Sequence, residues 1–143
     1  MIIYLDSSGL VKKYIVEADS DQFARLWEMP VTVSISAVGY AEIMAAFGRR
    51  RREGSISEET YRTLVTTFKE AWFFLDVLDV SGRLNEIVDR LTYQYPLRGF
   101  DSIHLASAIE MRNISGQEVL FASADKRLRM TASQEQLSVY PEQ

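Results

Sequence analysis

Ile2-Ile3-Tyr4-Leu5-Asp6-Ser7-Ser8-Gly9 opens the chain and governs how the rest of it is read. Four large apolar or aromatic residues follow one another without polar alternation, which suits a strand buried on both faces, as strands inside parallel sheets are. The run stops at a carboxylate. Ser7-Ser8-Gly9 then supplies turn and cap chemistry for a helix expected over 10–17. A buried strand, a polar stop and a helix form the first half of a βαβ unit, so the question becomes whether the pattern repeats.

It does. A helix is expected from Ser20 to Trp27, with Phe23, Leu26 and Trp27 on one face, and then the β-branched run Val31-Thr32-Val33-Ser34-Ile35 reads as a second strand. Ser36 is placed to cap a helix carrying Val38, Ala41, Ala45 and Gly48, which frays into Arg49-Arg50-Arg51-Arg52 and stops at Gly54. Ser57 caps the next, with Ile56 and Tyr61 spaced as a hydrophobic staple and Leu64, Phe68 and Trp72 further along. Residues 77–80 read as a third strand, Leu84 to Leu91 as a helix ending before Pro96, and Phe100 to Arg112 as another. Val119-Leu120-Phe121-Ala122 and Leu137-Ser138-Val139-Tyr140 complete the set as fourth and fifth strands. Alternating strands and helices predict an α/β fold with a parallel sheet covered on both faces.

Composition narrows the chemistry. The 143 residues favour a single domain spanning 1–143, and 47% hydrophobic with 25% charged residues excludes a disordered or fibrous chain. The absence of cysteine removes disulfides, thiol nucleophiles and Cys-ligated metals. There is no basic, apolar leader and no run approaching the roughly 18 apolar residues of a membrane span, so a soluble cytoplasmic protein with no membrane partner is expected. Net charge is −4, from 16 Lys+Arg against 20 Asp+Glu, which argues against nucleic-acid binding through general electrostatics. Local basic clusters at Lys12-Lys13, Arg49–Arg52 and Lys126-Arg127 with Arg129 act the other way, as would a divalent cation among carboxylates.

Ligands in open α/β sheets bind beyond the carboxyl ends of the strands. Asp6 follows the first strand and Asp125 the fourth; Glu42 lies in the second turn after the second strand, and Asp101 opens the helix over 100–112. Each has a structural reading: turn or cap for Asp6, first-turn acid for Asp101, cap for Asp125, ion pair with Arg49 or Arg50 for Glu42. Their joint placement at strand ends favours a shared site. The small apolar neighbours of Glu42, namely Val38, Ala45 and Ala46, suggest a partly buried carboxylate lining a cleft. Clustered carboxylates need a cation, and hard oxygen donors select Mg²⁺ or Mn²⁺. A Ser-His-Asp arrangement is not expected, because no pair of these acids has a histidine near it in the sequence pattern and His104, the one histidine, reads as a hydrogen-bonded residue of a packed helix face.

These stretches resemble a known family. Ile3 to Tyr14, containing Leu5-Asp6-Ser7-Ser8-Gly9, resembles the start of a PIN domain, particularly the VapC-type toxins of bacteria and archaea. Ser36 to Ile43, with Glu42, is similar to the second acidic motif; Leu97 to Ala108, with Phe100-Asp101-Ser102, to the third; and Phe121 to Leu128, with Ser123-Ala124-Asp125, to the fourth. The resemblance implies a three-layer α/β/α sandwich and a metal-dependent endoribonuclease, the toxin of a toxin–antitoxin pair. It implies that Asp6, Glu42, Asp101 and Asp125 are the catalytic acids, that Asp6 and Asp101 foremost ligate Mg²⁺ or Mn²⁺, and that Ser7 and Ser123 support them by hydrogen bonds. It further implies an RNA substrate, a homodimer and a cognate VapB-type antitoxin. The alternative is a PIN-like module that binds RNA or protein without cutting. A haloacid-type phosphatase with Asp6 as nucleophile is disfavoured because Ser8 stands where its second acid belongs.

The remaining features admit two readings each. Arg49–Arg52 form a solvated helix end or a grip on RNA or a partner; Lys12-Lys13 and Lys126, Arg127 and Arg129 contact phosphate or merely flank the site. Trp72-Phe73-Phe74 cannot all face one core, so a partner surface is expected there.

Overall fold

The computed structural model describes residues 1–142. Its centre is the opening strand, β1 (Ile2–Leu5). Around it stand β2 (Val33–Ser36), β3 (Asp76–Leu78), β4 (Val119–Ala122) and β5 (Ser138–Tyr140), in the order β3-β2-β1-β4-β5 and all parallel. Ile3 pairs with Val33 on one side, while Tyr4 pairs with Phe121 and Leu5 with Ala122 on the other.

Strand side chains alternate between faces, and the two faces build two cores. Ile3, Leu5, Val33, Ile35 and Ala122 pack with Phe23, Phe47 and Phe68. Those aromatics come from α2 (Ser20–Ala24), α3 (Val38–Arg52) and α4 (Glu58–Trp72), which lie on that side with the one-turn α1 (Ser7–Leu10). Tyr4, Val119 and Phe121 pack instead with Leu91, Leu105, Ile109 and Leu128. These belong to α5 (Asn85–Gln94), α6 (Gly99–Ser115) and α7 (Lys126–Gln134) on the opposite face. The expected α/β/α sandwich is therefore observed. No helix among the described residues is long and apolar enough to cross a membrane.

Several boundaries differ from the sequence reading, each for a local reason. The helix expected over 10–17 begins three residues earlier, because the Asp6 carboxylate accepts the Gly9 N–H at 3.0 Å and caps it. It then tightens into a 3₁₀ turn at Val11–Lys13, after which Lys12 folds onto Glu17 and Asp19 at 2.7 and 2.8 Å. The Ser20–Trp27 helix likewise tightens to 3₁₀ geometry at Arg25–Glu28. The third strand is Asp76–Leu78, beginning one residue and ending two residues earlier than expected, with Asp76 accepting from the Ser34 hydroxyl at 3.0 Å. The Phe100 helix runs on to Ser115 and is closed by Gly116 at φ +68°.

Gly9 is where the first strand and first helix touch. A Cβ on it would lie 2.5 Å from Leu5 Cδ1 and 2.9 Å from Phe23 Cε1, both buried in the core. Gly9→Ala should therefore destabilise the protein by about 1–3 kcal/mol through overpacking, read as a lower urea midpoint at unchanged slope; a midpoint equal to wild type would show that Leu5 and Phe23 can yield.

Candidate functional site

The chain leaves β1 toward β2 on one side, whereas β4 and β5 continue on the other, so the order of the sheet reverses between β1 and β4. A crevice opens at such a reversal beyond the carboxyl ends of the strands. Asp6 stands there, 3% exposed. Its Oδ2 accepts from Ser123 Oγ at 2.7 Å; the Ser8 hydroxyl reaches both of its oxygens, at 2.8 and 3.0 Å. The two serines are themselves held by the loop after β4: Ala124 N–H donates to Ser8 Oγ and Asp125 N–H to Ser123 Oγ, each at 3.0 Å. Among the described residues every hydrogen-bond donor to Asp6 is neutral.

Asp101 sits in the first turn of α6 and lies between two clefts. One is lined by Glu42, Arg98, Phe100 and Thr92, the other by Asp125, Arg98, Arg127 and Pro96. Asp125 is exposed and caps α7, its Oδ1 accepting from the N–H groups of Arg127 and Leu128 at 2.9 and 3.3 Å. Asp101 thus shares one cleft with Glu42 and the other with Asp125, and its carboxylate feels that of Asp6. The four acids do not close into a tight cage: among the described residues no three acidic or histidine side chains are grouped closely enough to hold a metal ion by themselves.

The electrostatics divide the acids. Burial pushes the Asp6 carboxyl above its ordinary value, against the opposing effects of His104 and of the hydrogen bonds from Ser123, Ser8 and Gly9. Asp101 is pushed up as well, by burial first and then by the Asp125 and Asp6 carboxylates. Among the described residues no lysine or arginine forms an ion pair with Asp6, Asp101 or Asp125. Like charges gathered in this way favour the binding of a cation between them. The donors are all hard oxygens and suit Mg²⁺ or Mn²⁺; Mg²⁺ typically takes only one or two protein carboxylates and completes its shell with water and phosphate. The residues present therefore fit such an ion.

Glu42 behaves differently. Burial raises its carboxyl, but hydrogen bonds from His104 and Ser7 outweigh that and hold it below the ordinary value. Ser7 Oγ donates to Glu42 Oε1 at 2.7 Å, and His104 Nε2 lies 2.6 Å from the same oxygen. This overturns the expectation that no histidine approaches the acids, and it replaces Arg49 or Arg50 as the partner of Glu42. Helical spacing placed His104 one turn from Asp101 on its own helix; the contact with Glu42 crosses from α6 to α3 and has no local signature. Tyr4 was also missed. A phenol in the middle of a buried aliphatic strand is the signal that reveals it, since its hydroxyl needs a partner.

Of the basic residues, Arg127 lines the cleft beside Asp101 and Asp125, and so does Arg98, which the sequence reading did not single out. Lys12 is engaged with Glu17 and Asp19, and Lys13 lies 4.0 Å above the Trp27 ring. Arg129 is buried and donates to the Ser123 carbonyl at 2.6 Å, bracing the loop under the site. Arg50 and Arg51 pair loosely with Glu17 and Glu58, both at 3.4 Å.

An acid whose pKa is raised on folding contributes stability only while protonated: the contribution is whole below the ordinary value of 3.8 and is lost as pH rises through the folded value. Among the described residues no hydrogen bond ends on the Asp101 carboxylate, so an amide there forfeits nothing. Asp101→Asn should therefore raise the melting temperature of the metal-free protein at pH 7, with the gain vanishing below pH 3.8; melts in EDTA across pH test it, and an unchanged melting temperature at neutral pH would remove the claim of like-charge strain.

Comparison with known proteins places these features in a family. The family model for the PIN domain matches residues 3–133. The chain is 25% identical over 142 residues to Ribonuclease VapC45 of Mycobacterium tuberculosis (strain CDC 1551 / Oshkosh), covering 99% of this chain and 96% of the relative. Its fold is similar to that in the crystal structure of FitAcB from Neisseria gonorrhoeae, with a TM-score of 0.74 at 13% identity and coverage of 97% and 96% of the two chains. It is also similar to that of VapBC2 from Rickettsia felis bound to a DNA fragment from their promoter, with a TM-score of 0.66 at 14% identity and 97% of each chain covered. A five-stranded parallel sheet, acids at its β1/β4 reversal and a family match over nearly the whole length lead to one conclusion: the chain belongs to the PIN domain family.

Proposed function

We propose that this protein is a metal-dependent endoribonuclease, the toxin of a toxin–antitoxin pair, acting as one domain over residues 1–143 in the cytosol. The observation that carries this reading is the pair Asp6 and Asp101: one carboxylate buried at the sheet reversal, the other raised by burial and by the Asp125 and Asp6 charges against the opposing effects of His104 and Arg98. The relative named as a ribonuclease spans the same length and supports the substrate class.

Asp6 and Asp101 would hold Mg²⁺ or Mn²⁺, with Asp125 adding negative charge from the end of β4. Such an ion supplies an acidified water and stabilises charge building on a phosphoryl group. Arg98 and Arg127 line the Asp101–Asp125 cleft and would orient the RNA phosphates toward the acids. Glu42, kept anionic by His104 and Ser7, is placed across the neighbouring cleft to accept a proton from the attacking water.

Two partners belong to this reading. A VapB-type antitoxin is suggested by the fold shared with VapBC2 and by the VapC-named relative. A homodimer is supported by Phe73 and Phe74, 87% and 84% exposed just after α4, whereas Trp72 turns inward against Phe68 and Tyr40. Adjacent exposed aromatics mark a contact surface, so Phe73→Ala with Phe74→Ala should reduce a dimer to monomers by light scattering; an unaltered mass would place the dimer contact elsewhere.

The decisive assay incubates the purified, antitoxin-free protein with a mixed RNA pool in Mn²⁺. Cleavage should be abolished by EDTA and fall by more than about 100-fold in Asp101→Asn. Arg98→Ala and Arg127→Ala should weaken RNA binding and each lower the salt slope by about 0.7, one phosphate contact to a single strand. RNA binding without cleavage in any divalent cation would instead establish a non-catalytic PIN module.

A further inference from the structure

Tyr4 lies outside every role described so far and His104 has entered only as a partner of Glu42, yet both are buried against the site, at 0% and 1% exposed. The Tyr4 hydroxyl is 2.7 Å from His104 Nδ1, and it also accepts the Ser36 N–H at 3.1 Å. His104 Nε2 is 2.6 Å from Glu42 Oε1. We propose that Tyr4 and His104 form a buried strut that positions the Glu42 carboxylate, with Tyr4 donating to Nδ1 and Nε2–H donating to Glu42. The assignment rests on the proposed nuclease reading only for its consequence in catalysis; the strut itself is a statement about hydrogen bonds.

The direction of each bond follows from the available protons. A phenolic oxygen that already accepts from a backbone N–H uses its own proton to donate, and His104 Nδ1, at 2.7 Å, takes it in preference to the neighbouring Ser107 hydroxyl, which spends its own proton on the Ile103 carbonyl. With Nδ1 accepting, the ring proton resides on Nε2 and points at Glu42. The ring has little freedom to do otherwise: Tyr4 meets it edge-on at 71° and 5.9 Å, and Tyr4 is itself stacked on Phe121 at 4° and 5.6 Å. The strut therefore runs from the middle of the sheet, through α6, to a side chain on α3.

What the strut accomplishes is visible at Glu42. Both short bonds, from His104 and from Ser7, fall on Oε1. Among the described residues no hydrogen bond ends on Oε2, and Glu42 lines the cleft that Asp101 shares. One oxygen is anchored and the other is presented. A glutamate has three side-chain torsions, and without an anchor the carboxylate would sample several rotamers at a cost in productive geometry. His104 and Tyr4 are positioning residues here, since neither touches the substrate.

This protein has one histidine, so its imidazole signals need no assignment. In ¹⁵N-labelled wild-type protein, a long-range ¹H–¹⁵N spectrum should show a protonated Nε2 with a strongly deshielded proton. Nε2 without a proton overturns the strut. Tyr4→Phe removes only the hydroxyl and should release the ring into a mixture of tautomers; a spectrum identical to wild type overturns the role of Tyr4. In cleavage assays His104→Ala should lower kcat by about 10- to 100-fold with KM unchanged, and His104→Gln, which returns an N–H donor near the Nε2 position, should recover most of that loss. Equal kcat in wild type and His104→Ala, or no recovery in His104→Gln with the fold intact by circular dichroism, overturns the positioning role. Wild-type protein that cuts no RNA would defeat the nuclease reading instead, and the imidazole spectrum would still decide the strut.

Discussion

Everything at this site depends on burying one carboxylate, Asp6, at the point where a parallel sheet reverses its order. A carboxylate almost out of contact with water is tolerable only if its oxygens are bonded. Here the bonds come from neutral donors: two serine hydroxyls and one backbone N–H. Those donors satisfy geometry without cancelling charge. The result is a preformed oxygen site that keeps its negative potential, and the like charges of Asp101 and Asp125 add to it.

The pairing of β1 with β4 makes this possible. In parallel register Leu5 lies beside Ala122, so the residues that follow, Asp6 and Ser123, emerge together. The loop after β4 then returns through Ala124 and Asp125 to hold both serines from behind, while Arg129 fastens the Ser123 carbonyl. Glu42 is held from the other side of the sheet by a strut of different chemistry. Two of the acids are thus fixed by different partners, Asp6 by Ser8, Gly9 and Ser123 and Glu42 by Ser7 and His104.

An excess of acidic residues is no obstacle to RNA recognition in such a frame. Most basic clusters prominent in the sequence are engaged elsewhere, Lys12 with Glu17 and Asp19 and Arg50 with Glu17. The two cations at the cleft, Arg98 and Arg127, come from separate stretches of chain and stand beside the carboxylates. Guanidinium groups bind phosphate through paired donors, so position outweighs number.

Much of this was legible in the chain itself. The unbroken apolar run Ile2 to Leu5, the β-branched second strand and the clean Val119-Leu120-Phe121-Ala122 could only be buried parallel strands, because period and burial are local properties of a strand. Ser57 as a cap and Gly54 as a helix terminator act within a few residues of themselves. The acids at strand ends pointed to one rim for the same reason: topology carries the ends of parallel strands to a common edge. Contacts between distant segments were not legible. Ser123 meets Asp6 across 117 positions, His104 meets Glu42 across 62 and Tyr4 across 100. The sequence by itself determined the elements, the layers and the edge on which the acids lie. Only the tertiary structure decided which acid is anchored by which neutral partner, because hydrogen bonds depend on tenths of an ångström and angles set jointly by every packed layer, and no spacing along the chain encodes them.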